Sequence, residues 1–155
     1  MASPVAVAAC DGYAPEFLEP ALDAVLDAVG GLGRIVRPEQ TVLLKPNLIA
    51  GLPPERGGTT HPAVLDSLCR RIRELGARPM IGDAPAWGGP RQVAEATGIA
   101  AVCVKYGEEF VYFDRHTRLD SRCPEVASHF HVDPRVLQAD VVINVGKYPE
   151  HQCNN

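Results

Sequence analysis

Apolar and polar positions change period several times along the chain, and each change predicts an element. Val5 to Cys10 is a near-continuous apolar run closed by Asp11-Gly12, which predicts a buried strand. From Phe17 the spacing becomes helical. Leu18, Leu22, Val25, Leu26 and Val29 form one stripe, Pro20 is placed in the first turn, and Gly30-Gly31 stops the helix. Thr41 to Leu44 predicts a second short strand, with Pro46 expected to end its ladder. A Gly/Pro-rich loop, Gly51 to Thr60, leads to a helix opening at Pro62, with Leu65, Leu68, Cys69, Ile72 and Leu75 on one face and Gly76 as its stop. Pro79 to Ile81 predicts a third strand, Gly82 to Pro90 a turn, Arg91 to Thr97 a short helix ended by Gly98, and Ala101 to Val104 a fourth strand.

The pattern weakens after Gly107. Phe110 to Phe113 is strand-like, Val126 to Val132 reads as a strand with His129 and His131 on one face, and Asp133-Pro134 opens a turn or short helix to Gln138. Val141 to Val145 then predicts a buried strand, followed by the polar stretch Gly146 to Asn155. Strands alternating with helices predict an α/β fold: a mainly parallel, Rossmann-like layered sheet with helices on both faces. The chain, residues 1–155, reads as a single domain, and a buried strand so near its end predicts a sheet that is incomplete at the C-terminus.

Composition narrows the function classes. There are 15 Lys plus Arg against 19 Asp plus Glu, a net charge of −4, with 46% hydrophobic and 22% charged residues. An acidic balance without a basic run gives no footprint for nucleic acid or an anionic membrane, and no apolar stretch is long enough for a span. A cytoplasmic location is the expectation. The cysteines, Cys10, Cys69, Cys103, Cys123 and Cys153, are scattered and never spaced C-x-x-C, so no cluster or zinc-ribbon motif is present and no metal ligands are assigned. Cys69 and Cys103 lie on apolar faces and read as buried thiols. The G-x-x-x-x-G-K-[ST] and G-x-G-x-x-G orders of nucleotide-binding loops are missing, as is a G-x-S-x-G elbow.

In a parallel sheet, ligands bind beyond the carboxyl ends of the strands, so polar residues just after strands are the candidates. They are Cys10-Asp11-Gly12, Lys45-Pro46-Asn47, Gly82-Asp83-Ala84-Pro85, and Asn144 with Lys147. Thr59-Thr60-His61-Pro62 opens a helix, where free backbone N–H groups and the positive dipole end suit a carboxylate or phosphate. Each piece has a structural alternative: Lys45 as a solvated strand end, Asp83 as an Asx turn, Thr60 or His61 as a helix cap, Asn47 as a loop brace.

Taken in order, Val42-Leu43-Leu44-Lys45-Pro46-Asn47-Leu48, Thr59-Thr60-His61-Pro62, Ile81-Gly82-Asp83-Ala84-Pro85, Thr97-Gly98-Ile99 and Ala139-Asp140-Val141-Val142-Ile143-Asn144 resemble the domain of unknown function 362 family, over roughly residues 4 to 151. The resemblance implies an α/β domain whose family is often associated with ferredoxin-type iron–sulfur modules. A 4Fe-4S cluster and a ferredoxin-like redox partner therefore enter by association alone. By position, Lys45, Asn47, Thr60, His61, Asp83, Asn144, Lys147 and His151 match the family's motif residues. Members usually continue the last motif as Pro-Lys-Leu-Lys-Thr-His, where this chain has Gly146-Lys147-Tyr148-Pro149-Glu150-His151, and they run further. The chain thus resembles the N-terminal part of such a domain, or a shortened member.

Two readings follow. In the first, a small anionic substrate binds at the strand edge: Lys45 and Lys147 neutralise it, His61 serves as general acid/base, Asp83 orients His61 or binds a cation, and Asn47, Thr59, Thr60, Asn144 and His151 complete the contacts. In the second, the domain is a non-catalytic partner contributing to an iron–sulfur or redox assembly, or a truncated product completed by another chain; a homo-oligomer is the further partner considered.

Overall fold

The computed structural model describes residues 4–56 and 58–147. In chain order its elements are α1 (Pro15–Ala28), β1 (Thr41–Pro46), α2 (Pro62–Glu74), β2 (Arg78–Asp83), α3 (Pro90–Ala96), α4 (Ile99–Lys105), β3 (Val111–Tyr112), β4 (Thr117–Asp120), β5 (His129–Val132), α5 (Pro134–Gln138) and β6 (Val141–Val145). Four strands form a parallel sheet in the order β3-β2-β1-β6, and β4 pairs antiparallel with β5 as a separate hairpin. With helices flanking a four-stranded parallel sheet, the fold is the expected layered α/β type.

The sheet register explains where the core sits. Val42 lies beside Pro79 and Val141, and Leu44 beside Ile81 and Ile143, so these side chains share one face. Against that face α2 lays Leu65, Leu68, Cys69 and Ile72, which recur at helical spacing and are buried. Leu43 points the other way and is fully buried, whereas its neighbour Val142 is 47% exposed. β6 was expected to be buried. It is half-exposed: among the described strands it pairs only with β1 and so lies at the edge of the sheet.

Three further expectations are corrected. Residues 4–10 form no strand: Val5 is 89% and Val7 92% exposed, and the run pairs with none of the described strands. An apolar run supplies β propensity, but a strand exists only against a neighbour. Ala101 to Val104 is helical, within α4; Ile99, Val102 and Cys103 are buried at i, i+3 and i+4 spacing, which a short apolar run hides. Gly98 makes this possible by adopting φ +76°, ending α3 and starting α4 in one residue. Pro46 stays in the ladder, opposite Val145, while pairing toward β2 runs only from Thr41 to Leu44. Its ring removes a donor without leaving extended geometry.

Helix α1 begins at Pro15, so Pro20 lies inside it rather than in its first turn. Its stripe is right but only half-buried, Leu18 alone being fully covered. Polar contacts hold it as well: Arg71 of α2, largely buried, bonds both Glu19 and Asp23. No described helix is long and apolar enough to cross a membrane.

Candidate functional site

The carboxyl ends of β1, β2 and β6 and the start of α2 meet at one edge. Lys45 and Asp83 come from neighbouring strands, and their side chains pair with Nζ 3.0 Å from Oδ1. Asp83 is 5% exposed, and its second oxygen accepts the Leu48 amide at 3.0 Å. The hydrogen bonds of this carboxylate therefore run to Lys45 and Leu48 rather than to His61. Lys45 also donates to the Pro46 carbonyl, and its side chain remains 41% exposed. Asn144 stands beside Lys45 in the register and is exposed.

Behind this edge, Asn47 and Thr60 lock the loop between β1 and α2. The Asn47 amide donates to Thr60 Oγ1 at 2.8 Å, the Thr60 amide returns a bond to the Asn47 carbonyl, and Asn47 Nδ2 donates to the Gly58 carbonyl. Thr60 Oγ1 donates in turn to the Val145 carbonyl at 2.6 Å, tying loop to β6. Thr59 and Thr60 are buried, and together with Asn47 they shape the edge from beneath.

His61 is the N-cap of α2, with Pro62 in the first helical position. Its Nδ1 accepts the Ala63 amide at 3.2 Å, and its carbonyl accepts the Val64 amide. The sequence leads one to expect free N–H groups here. Pro62 has none, and those of Ala63 and Val64 are taken by His61 itself, so the imidazole stands where an anion would otherwise meet the backbone. Burial pushes the His61 pKa below its usual 6.5; Glu55 pulls it upward and Lys147 pushes it further down.

Tyr13, which the sequence reading passed over, completes the group. Its ring stacks on His61 with centroids 3.8 Å apart and planes 3° from parallel, and Lys147 Nζ lies 5.9 Å from the Tyr13 ring centroid. The available signal was an aromatic residue directly after Cys10-Asp11-Gly12, one of the candidate positions following a predicted strand. The structure thus gathers Lys45, Asp83, Asn47, Thr60, His61, Asn144 and Lys147 at one edge; His151 lies outside the described residues.

Elsewhere, His129 and His131 sit edge-to-face on the hairpin with centroids 5.1 Å apart. Among the described residues no group of three His, Cys, Asp or Glu could hold a metal ion. Cys69 and Cys103 are buried free thiols, as expected, and burial pushes their pKa values up to about 12 and about 11.

Comparison with known proteins adds a relative. The chain is 33% identical over 151 residues to the thylakoid-associated protein sll1697 of Synechocystis sp., a match covering 97% of this chain and 46% of the relative. It spans about half the length of the curated relative it matches. No solved structure matches it significantly. The family model described as "Domain of unknown function (DUF362)" matches residues 42–154, from β1 through β6 and past the last site lysine. The ordered motifs and the edge they build thus fall inside the matched region, and the chain belongs to the DUF362 family.

Proposed function

We propose that this domain binds a small carboxylate or phosphate at the edge formed by Lys45, His61 and Lys147, as the anion site of an enzyme acting on such a substrate. The observation that carries the reading is that, on a net-acidic chain, half-exposed Lys45 lies at the end of β1 while Lys147, just past β6, lies over the Tyr13 ring that stacks on His61 at the positive end of α2. Lys45 and Lys147 supply charge, and His61 supplies a hydrogen-bond donor. Asp83 holds Lys45 in place while its own charge is offset by that lysine. Asn47 and Thr60 fix the loop from which His61 projects. In this reading Asn144, exposed beside Lys45 in the register, contributes an amide to the same ligand.

NMR titration of the full chain with inorganic phosphate and with a small carboxylate such as pyruvate tests this. Saturable shifts at Lys45, His61, Ala63 and Lys147, weakened by added salt and lost in a Lys45→Met/Lys147→Met double variant that keeps its fold, are the expected result. Equal shifts in the wild type and the double variant would overturn it.

A further inference from the structure

We propose that Tyr13 is a positioning residue that holds His61 as a neutral imidazole carrying its proton on Nε2, so that the site meets its ligand with a fixed Nε2–H donor. This rests on the anion-binding reading and narrows it to an oxyanion whose oxygen accepts a hydrogen bond, without His61 taking a proton.

The chemistry follows from one contact. A backbone N–H only donates, so the bond from the Ala63 amide to Nδ1 requires a lone pair on that nitrogen. In a neutral ring the proton must then be on Nε2. Protonating His61 would place a second proton at Nδ1, facing the Ala63 N–H, and would open the cap of α2. The ring cannot easily turn away from this bond, because Tyr13 lies flat against it at 3.8 Å. Among the described residues, the charged groups that act on it are Glu55, from the 3-10 turn Pro54–Arg56, and Lys147, just past β6. Of these, Lys147 opposes a positive ring, as does the positive end of the α2 dipole. Glu55 favours protonation, but burial and Lys147 outweigh it, leaving the ring's pKa lowered.

The test needs no ligand. Two-bond ¹H–¹⁵N correlation spectra of the imidazoles in the full chain read out which ring nitrogen is protonated, and a pH series gives the midpoint. The expected wild-type result is an unprotonated Nδ1, a protonated Nε2 and a midpoint below 6.5. Tyr13 is 42% exposed, so its substitution leaves the core intact. Tyr13→Phe, which keeps the ring, should preserve both readings; Tyr13→Leu should give mixed tautomers and move the midpoint up toward 6.5. A wild-type ring protonated on Nδ1, or a Tyr13→Leu spectrum identical to wild type, would overturn the inference. Failure of phosphate and pyruvate to bind would instead remove the anion reading and leave the tautomer result standing.

Discussion

Thr60 shows how a single side chain decides the shape of the site. Its hydroxyl accepts from the Asn47 amide and donates to the Val145 carbonyl while the residue is 3% exposed. Thr60→Val keeps the shape but strips both backbone groups of their partner, and a buried polar group left unpaired costs about 1–3 kcal/mol. We expect the variant to lose stability on that scale in urea denaturation, with faster hydrogen exchange at the Asn47 amide, and Thr60→Ser to recover most of the loss. His61 works the same way at the start of α2, where an N-cap is worth about 1 kcal/mol. These residues were legible as a motif in sequence, including the capping role. What the sequence did not show is that the cap uses the Nδ1 atom of the His61 ring, which accepts the Ala63 amide. Gly82 is a further case: a Cβ there would lie 2.8 Å from both the Phe113 ring and the Val111 carbonyl, so only glycine lets β3 close against β2.

At the scale of elements, the hairpin and α5 are joined by one buried carboxylate. Asp133 caps α5 through the Arg135 amide, also bonds the Arg135 guanidinium, and accepts the Arg115 amide just before β4. The hydrogen bond from the Arg135 side chain, assisted by the two backbone amides, holds its carboxyl far below the ordinary 3.8. A carboxylate depressed in the folded state adds stability that is fully present above its unfolded value and is lost as pH falls below it. Asp133→Asn should therefore be less stable than wild type at pH 7, with the gap closing as urea denaturation is repeated from pH 5 toward pH 2. A gap independent of pH would contradict this. The Asp133-Pro134 start of α5 was readable from its capping pattern, but the β4 partner of β5 was not, because antiparallel pairing across a long connection leaves no local periodicity. Ala101 to Val104 failed for a related reason: four apolar residues fit either period, and contact with α2 selected the helix.

For the whole molecule, burial separates the centre of the sheet from its β6 edge, Leu43 being fully buried beside the exposed Val142. Ile72 is completely buried between α2 and the strands, whereas Val142 is 47% exposed on the opposite face. Ile72→Ala should cost about 2–5 kcal/mol, and Val142→Ala about 1 kcal/mol or less, in the same denaturation assay. Similar losses at the two positions would mean that the β6 edge is covered in solution. The sequence by itself determined the α/β class, helices α1 and α2 with their inward stripes, the cores of strands β1, β2 and β6, and the polar residues that follow them, because short-range periodicity, proline and glycine act locally. Only the tertiary structure decided that residues 4–10 form no strand, that β6 is a half-exposed edge, that Asp83 pairs with Lys45, and that Tyr13 covers His61. Each of these depends on which distant segment arrives alongside, and a strand edge, an ion pair or a ring stack acquires its energy only when that partner is in place.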